Sequence, residues 1–310
     1  MSVRVHSRVS VIIPAYNRAA VVGRAVRSVL SQTHEVSEVI VVNDGSTDDT
    51  ARVVKEIADS RVICLEHDRN RNGAAARNSG ARRATGEYFA FLDSDDEWLP
   101  SHVSNKLKCL AESGCDGVFG SFILRDSRGE KLRRCSAVPA GMSILEYILS
   151  PIAGDVRTSS MVLKREAFLA VMFDETLWKH QDWDLAVRLC ERFRLSCDQE
   201  ATVVIHAEGA DRMSARMNHT ATRVFLDRHA IKMSPAALAR MNLILAMRTY
   251  GAEGRTVDYD LYRQRAWEAR SHLKLADRLV LAAIGLPFAN YWALHCGRSV
   301  VRLLRHMLRR

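Results

Sequence analysis

The chain has 310 residues, 47% of them hydrophobic and 26% charged, and these fractions exclude a disordered or fibrous protein. Its seven cysteines are scattered and none forms a C-x-x-C pair, which argues against a disulfide framework or a zinc site. The first ten residues contain no apolar run, so the sequence predicts no secretory signal and a cytoplasmic location.

Most of the net charge of +9 lies near the C-terminus. From Arg255 onward there are eleven basic residues and four acids, which leaves about +2 for the 254 residues before them. Because the larger part of the chain is nearly neutral, we expect no nucleic-acid partner. A basic C-terminal region could still meet an anionic membrane surface.

Strand and helix patterns alternate through the first third of the chain. They predict strands at 9–13, 38–42, 61–65 and 87–92, and helices at 19–30, 46–58 and 73–84. The third helix thus begins at Gly73, and the second begins at a cap at Ser46 or Thr47. Such alternation predicts an α/β protein with a parallel sheet and helices on both faces.

Later segments are less regular. They predict helices at 101–115 and 180–193, strands at 117–124, 158–163 and 201–205, and a hairpin-like turn at 126–129. After about His219 the strand patterns disappear and the chain reads as helical. We therefore expect two domains, a catalytic one at 1–220 and a helical region at 221–310.

A run of acids directly follows the fourth predicted strand. Asp93, Asp95 and Asp96 come after the apolar residues Phe89 to Leu92, where ligands of open α/β sheets bind. In extended chain, residues two apart point to the same side, so Asp93 and Asp95 can converge. Two such carboxylates suit Mg²⁺ or Mn²⁺ holding a diphosphate. The alternative is a solvated acidic turn.

Two further polar residues lie at strand and helix ends. Asp44 follows the second strand, where its carboxylate can accept from a base N–H or a ribose hydroxyl; an Asx turn is the alternative. Arg77 lies one helical turn after Gly73 and offers a fork to diphosphate oxygens; a surface salt bridge is the alternative.

Five short motifs occur in one order along residues 8–216: Val9-Ser-Val-Ile-Ile-Pro-Ala-Tyr-Asn17, Val41-Val-Asn-Asp44-Gly-Ser-Thr-Asp48, Asn72-Gly-Ala-Ala-Ala-Arg77-Asn78, Asp93-Ser-Asp-Asp96 and Gln181-Asp182-Trp-Asp-Leu185. In this order and spacing they resemble family 2 glycosyltransferases with the GT-A fold. The resemblance implies an α/β catalytic domain with a nucleotide-sugar-binding sheet, an inverting reaction and a divalent metal ion. Its partners would be a nucleotide-sugar donor and a saccharide or lipid-linked acceptor.

The resemblance also assigns roles within the donor site. It implies that Asp44 reads the uracil of UDP and that Pro14, Ala15 and Tyr16 line the base pocket. Asp93 would meet the ribose or the metal. The metal ligands would come from Asp93, Asp95 and Asp96, with the choice between the last two left open, and a histidine such as His206 could approach the metal or diphosphate.

The candidate general base is Asp182, in the first turn of a predicted helix where the helix dipole favours the ionised form. A carboxylate opposite the leaving diphosphate can take the acceptor hydroxyl's proton and invert the anomeric carbon. The family's common Glu-Asp pair is replaced by Gln181 and Asp182, which removes a like charge and should keep the pKa of Asp182 lower. The alternative is that Asp182 or Asp184 is an ordinary acid at a helix N-terminus.

The C-terminal region combines an apolar segment with a basic helix. Leu279 to Cys296 is mostly apolar, and arginines then recur at spacings of four, three and four between Arg298 and Arg309. This pattern predicts peripheral attachment to the cytoplasmic face of a membrane, with packing against protein or a true span as alternatives. The oligomeric state is left open.

The sequence therefore predicts a metal-dependent transferase of cell-surface polysaccharide or glycoconjugate synthesis. The sequence leaves two alternative functions open. One is a phosphotransferase of the haloacid-dehalogenase type, which also places Asp-x-Asp after an apolar strand. The other is a non-catalytic adaptor that binds a membrane or a polyanion on a transferase-like fold.

Overall fold

The computed structural model describes residues 7–149, 155–207 and 217–284. The chain divides into two compact units, Met1–Ala210 and Asp211–Arg310. Most of the predicted apolar segment and all of the predicted basic helix follow residue 284 and lie outside the described residues. Within those three ranges, no helix has the length and apolar character needed to cross a bilayer.

The described strands all belong to the first unit: β1 Val9–Ala15, β2 Glu38–Asn43, β3 Val62–Glu66, β4 Tyr88–Phe91, β5 Glu97–Trp98, β6 Gly117–Gly120, β7 Phe122–Asp126, β8 Gly129–Arg133, β9 Val162–Lys164, β10 Leu195–Asp198 and β11 Val203–His206. A seven-stranded sheet has the order β10-β6-β9-β4-β1-β2-β3, and a smaller sheet has the order β5-β11-β7-β8.

The helices of the first unit are α1 Val22–Leu30, α2 Thr50–Lys55, α3 Gly73–Arg83, α4 His102–Ser113, α5 Ile144–Leu149, α6 Arg165–Val171 and α7 Gln181–Cys190. Those of the second unit are α8 His219–His229, α9 Pro235–Glu253, α10 Val257–Glu268 and α11 Leu275–Ala283. A short 3₁₀ helix, Thr158–Ser160, precedes β9.

The centre of the large sheet is apolar and tightly covered. β1 pairs in parallel with β2 and β4, and every residue of β2 is buried. Helix α3 lies so close to β1 that a Cβ on Gly80 would come within 2.7 Å of Ile12 Cγ2. Parallel pairing brings the carboxyl ends of β1, β2 and β4 to one edge, which carries the candidate site.

Three local predictions are wrong. The expected strand at 117–124 breaks at buried Ser121, whose backbone N–H donates to the Asp198 carbonyl, so β6 and β7 join different sheets. The expected strand at 158–163 begins as the 3₁₀ helix. The second helix begins at Thr50 because the Ser46 hydroxyl accepts from the Asn17 N–H instead of capping a helix.

The large sheet is mixed rather than purely parallel. β9 runs antiparallel to both neighbours, β4 and β6. The reversal returns the chain beside β4 directly after the 3₁₀ helix, which places residues 155–160 next to the turn that follows β4.

The described part of the second unit, residues 217–284, is helical. Pro235 occupies the first turn of α9, and Ser234 caps it by accepting from the Ala237 N–H at 3.3 Å. Phe225 of α8 and Tyr262 of α10 are fully buried and form part of its core.

Candidate active site

The acids after β4 form a tight turn. The Asp96 N–H donates to the Asp93 carbonyl at 3.0 Å, so the residues are not in the extended conformation that the sequence predicts. The Asp93 side chain is 38% exposed, Asp95 is half-buried and Asp96 is buried. The turn therefore separates its carboxylates by burial, and only Asp93 and Asp95 reach solvent.

Ser159 of the 3₁₀ helix holds this turn. Its hydroxyl accepts from the Asp93 N–H at 3.1 Å and donates to Asp96 Oδ2 at 2.6 Å. The His206 N–H donates to Asp96 Oδ1 at 3.2 Å, so each oxygen of that carboxyl accepts one hydrogen bond from the protein. Burial raises the pKa of Asp96 well above its ordinary value, and the charges of Asp93 and Asp95 raise it further.

Arg77 connects the acidic turn to helix α7. One terminal nitrogen of its guanidinium lies 2.5 Å from Asp93 Oδ1, and the other donates to Gln181 Oε1 at 2.9 Å. The guanidinium also lies 5.2 Å from the centre of the Phe173 ring. Asn72 caps α3 by accepting from the Ala74 N–H at 2.8 Å, which fixes the helical turn that carries Arg77.

Asp44 lies at the carboxyl end of β2 beside the end of β1. Its N–H donates to the Ala15 carbonyl at 2.8 Å, and Oδ1 accepts from His67 Nδ1 at 2.7 Å and from the Arg71 N–H at 3.0 Å. The carboxylate is therefore oriented by one of its oxygens. The adjacent Tyr16 side chain stays 42% exposed.

The other end of the His67 ring is also fixed. His67 Nε2 pairs with Ser79 Oγ of α3 at 2.9 Å, so a chain of hydrogen bonds runs from α3 through His67 to Asp44. Pro14 pairs with Val42 across β1 and β2, and Ala15 is buried. Pro14, Ala15, Tyr16 and Asp44, the four residues predicted to meet the base, thus share one edge of the sheet.

Asp182 lies in the first turn of α7, partly buried, and its Oδ1 accepts from the Trp183 N–H at 3.0 Å. Burial raises the pKa of Asp182 to about 6, the positive charge of Arg157 opposes this shift, and Asp155 adds to it. The expectation of a low pKa is therefore wrong, since loss of solvent outweighs both the helix dipole and the missing charge at Gln181.

Asp184 has a different environment. It is fully buried and accepts from Arg188 Nε at 2.8 Å and from Arg188 Nη2 at 2.6 Å. Arg188 also donates to the carbonyl oxygens of Val171 and Met172, so this pair joins α7 to the end of α6. Asp184 thus has a structural role in this pair, and Asp182 remains the candidate general base of α7.

His206 pairs with a carboxylate of the small sheet. Its Nε2 lies 3.2 Å from Glu97 Oε1, while burial and the charge of Arg24 lower its pKa. Across the described ranges, no group of three or more His, Cys, Asp or Glu side chains is arranged to hold a metal ion. The metal role predicted for His206 stays a prediction.

Sequence reasoning missed Ser159, His67 and the Asp155–Arg157 pair. His67 directly follows β3, so its place at the strand's carboxyl end was a usable signal. Ser159 was assigned to the inside of a strand, which concealed its contacts with the acidic turn. Nothing in the sequence indicates that residues 155–160 lie between that turn and α7.

Comparisons with known proteins identify the family and the fold of the chain. Residues 10–171 match the family model described as Glycosyl transferase family 2. The crystal structure of S. aureus TarS 1-349 in complex with UDP-GlcNAc shares the fold with a TM-score of 0.58 at 19% identity, over 86% of this chain and 72% of that chain.

The fold and site define a glycosyltransferase domain of the GT-A class. The family model covers more than half of the chain, so the chain belongs to glycosyl transferase family 2. This membership corrects the phosphotransferase alternative.

Two curated relatives carry specific names. The chain is similar to the UDP-Glc:alpha-D-GlcNAc-diphosphoundecaprenol beta-1,3-glucosyltransferase WfaP of Escherichia coli, 44% identical over 99 residues, which are 32% of this chain and 39% of WfaP. It is also similar to the amylovoran biosynthesis glycosyltransferase AmsB of Erwinia amylovora, 32% identical over 191 residues, 58% of this chain and 62% of AmsB. The matches thus span less than two-thirds of the length of either relative.

Proposed function

We propose that the protein is an inverting, metal-assisted glycosyltransferase that moves a sugar from a UDP-sugar to a saccharide or lipid-linked acceptor. One observation carries this proposal: Arg77 contacts both Asp93 of the acidic turn and Gln181, the residue before Asp182. A single side chain thereby joins the place for a diphosphate to the helix that bears the candidate base.

The nucleobase end supports a uridine donor. Asp44 Oδ1 is taken by His67 and the Arg71 N–H, which leaves Oδ2 as the acceptor for a ligand. A carboxylate oxygen selects a base that presents a ring N–H, and uracil does so at N3. The exposed ring of Tyr16 offers a face against which the base can stack. Among related proteins, WfaP is named for the donor UDP-Glc, and the TarS crystal structure contains UDP-GlcNAc.

The acidic turn fits a divalent cation through two of its three carboxylates. Asp93 and Asp95 offer oxygen ligands near solvent, which suit Mg²⁺ or Mn²⁺ when the remaining positions are filled by diphosphate and water. Asp96 fits less well, because it is buried and each of its oxygens already accepts a hydrogen bond, one from Ser159 and one from the His206 N–H. When bound, the ion would act as a Lewis acid that stabilises the leaving UDP. We therefore assign the second ligand to Asp95.

Asp182 provides the proton-accepting step. Its pKa of about 6 leaves the carboxylate ionised at neutral pH and yet more basic than an exposed aspartate. General bases work best when their pKa lies near the working pH. Asp182 would take the proton of the acceptor hydroxyl as that oxygen attacks the anomeric carbon, and this displacement inverts the configuration.

The acceptor is assigned from the relatives and the charge distribution. WfaP is named for a diphosphoundecaprenol acceptor and AmsB for polysaccharide synthesis, so we propose a related saccharide or lipid-linked acceptor. The positive charge after Arg255 would favour an anionic membrane surface where such lipids reside. Peripheral attachment on the cytoplasmic face is accordingly part of the proposal.

A donor screen tests the proposed function. UDP release is measured with Mn²⁺ for a panel of UDP-, GDP-, ADP- and CDP-sugars, using the wild type and Asp182→Asn. The expected result is release from one or more UDP-sugars by the wild type and strongly reduced release by the variant. Absence of release from every donor, or unimpaired release by Asp182→Asn, would contradict the proposal.

A further inference from the structure

The short segment 155–160 touches both halves of the candidate site. At its far end Ser159 holds the acidic turn through Asp93 and Asp96. At its near end Asp155 Oδ1 accepts from the indole N–H of Trp183 at 3.4 Å. Trp183 directly follows Asp182, so the segment also fixes the first turn of α7.

Asp155 and Arg157 form an ion pair within this segment. Arg157 Nη2 lies 2.5 Å from Asp155 Oδ2, and the guanidinium lies 5.9 Å from the centre of the Phe122 ring. Its Nε is buried and has no hydrogen-bond partner among the described residues. The positive charge of this guanidinium interacts with the carboxylates of Asp182 and Asp96 as well as that of Asp155.

Several charged groups face Asp182 or share its helix. Asp155 and Arg157 act on it from the 155–160 segment, and Asp93 acts on it from the acidic turn. On its own helix Asp184 is neutralised by Arg188, and His180, at the N-cap, stacks on the Trp183 ring at 5.1 Å. Arg157 is the group in this set that favours the ionised carboxylate.

We propose that the Asp155–Arg157 ion pair positions Asp182 for proton transfer: Asp155 anchors the first turn of α7 through Trp183, and Arg157 presents the compensating charge to the Asp182 carboxylate. The inference rests on the role proposed for Asp182 above. Neither residue belongs to the motifs that carry the family resemblance, and neither is assigned a contact with the donor.

The two members of the pair act on Asp182 with opposite signs. Removing the charge of Arg157 leaves Asp155 and Asp93 unopposed, so the Asp182 carboxylate binds its proton more tightly. Removing the charge of Asp155 takes away a like charge and frees Arg157 to act on Asp182 alone, so the proton is bound less tightly. An ion pair that only stabilised the fold, without acting on Asp182, would leave this titration unchanged.

Carboxyl ¹³C NMR of the full chain tests this without requiring turnover. The Asp182 signal is assigned with Asp182→Asn and titrated from pH 4.5 to 8 in the wild type, Arg157→Gln and Asp155→Asn. The expected midpoint is about 6 in the wild type. It should rise by about one pH unit in Arg157→Gln and fall by about one pH unit in Asp155→Asn. Asp116→Asn, which breaks a separate ion pair with Lys164 at 3.0 Å, should leave the midpoint unchanged.

Two further measurements show whether each variant is folded and whether the pH dependence of UDP release follows the titration of Asp182. Arg157→Lys keeps the charge, so it should return the midpoint close to the wild-type value, and near-ultraviolet circular dichroism verifies the fold of each variant. The acid limb of the UDP-release rate should move with the NMR midpoint in each variant. Shifts in the same direction, or no shift in folded variants, would overturn the inference. Opposite NMR shifts in a protein that turns over no donor would instead overturn the proposed function.

Discussion

The acidic turn after β4 and the first turn of α7 carry similar patterns of aspartates but place them in different environments. In each region one acid is buried and bound by neighbouring protein groups. Asp96 is bound by Ser159 and the His206 N–H, and Asp184 is bound by Arg188. The acids that remain differ. Asp93 is exposed beside Arg77, whereas Asp182 is desolvated, which raises its pKa to about 6.

The comparison indicates how one residue type can take the two roles proposed here. The carboxylate of Asp93 is 38% exposed, so its oxygens can reach a cation in the donor site. A partly buried carboxylate beside other acids holds its proton more tightly and can exchange it near neutral pH. The proposed metal ligand and the proposed base therefore differ in their burial and not in their spacing in the sequence.

The largest expected effect comes from removing the base. Asp182→Asn should lower the rate of UDP release in the presence of acceptor by about 10³-fold, because no other carboxylate of α7 is available for the proton. Affinity for Mn²⁺–UDP, measured by calorimetry, should stay within about twofold of the wild type, since the donor site is elsewhere. Glu166→Gln, an exposed acid in the first turn of α6, is the charge-matched control. Loss of UDP binding together with turnover in Asp182→Asn would contradict the separate roles proposed for the acidic turn and α7.

The second-largest effect is expected at Arg77, which connects the acidic turn to helix α7. Arg77→Lys keeps the positive charge but cannot reach Asp93, Gln181 and a phosphate oxygen together, so UDP should bind about tenfold more weakly. Arg82→Lys changes the same residue type on the same helix, where the side chain pairs with Glu175 at the surface, and should have little effect. Equal UDP affinities of the two variants would argue against a donor role for Arg77.

Substitutions of Asp95 and Asp96 in the acidic turn should differ in their effect on UDP binding. Asp95→Asn is expected to weaken UDP binding by about tenfold in Mn²⁺ and to have little effect in EDTA, because it removes a cation ligand. Asp96→Asn should preserve Mn²⁺-dependent binding, since the amide oxygen can still accept from the His206 N–H and the amide NH₂ can donate to the Ser159 hydroxyl oxygen. The reverse ranking would assign the ion to Asp96.

The last prediction concerns stability rather than activity. With a pKa of about 6 in the folded chain against an ordinary value of 3.8, Asp182 binds its proton more tightly when folded. Well above pH 6 the carboxylate is ionised in both states and its burial destabilises the fold, whereas well below pH 3.8 both states are protonated and the cost disappears. Asp182→Asn should therefore raise the free energy of unfolding by about 3 kcal/mol at pH 8 and by much less at pH 4. Urea denaturation at the two pH values measures the difference, and equal effects at both would contradict the raised pKa.

The sequence predicted the strands that carry the candidate donor-binding residues better than it predicted residues 117–124 and 158–163. Strands β1, β2 and β4 are short apolar runs with clear stops, so Asp44 and Asp93 could be placed at strand ends from local patterns alone. Ser121 and the residues 158–160 could not be placed, because a change of sheet and a 3₁₀ turn depend on contacts between β6, β9 and β10 that lie far apart in the chain.

The electrostatics of the base were not predictable for the same reason. From the sequence, Asp182 appears as an acid at a helix N-terminus with a neutral neighbour, and both features lower a pKa. Its actual surroundings include Asp155 and Asp93, and they become visible only once residues 155–160 are folded against α7.

The anomeric configuration of the transferred sugar tests the division of roles most directly. If Asp182 deprotonates the acceptor while the acidic turn holds the leaving UDP, transfer is a single displacement. The coupling constant of the anomeric proton in the product, measured by ¹H NMR, should then show the configuration opposite to that of the UDP-sugar. A product that retains the donor's configuration would contradict the account.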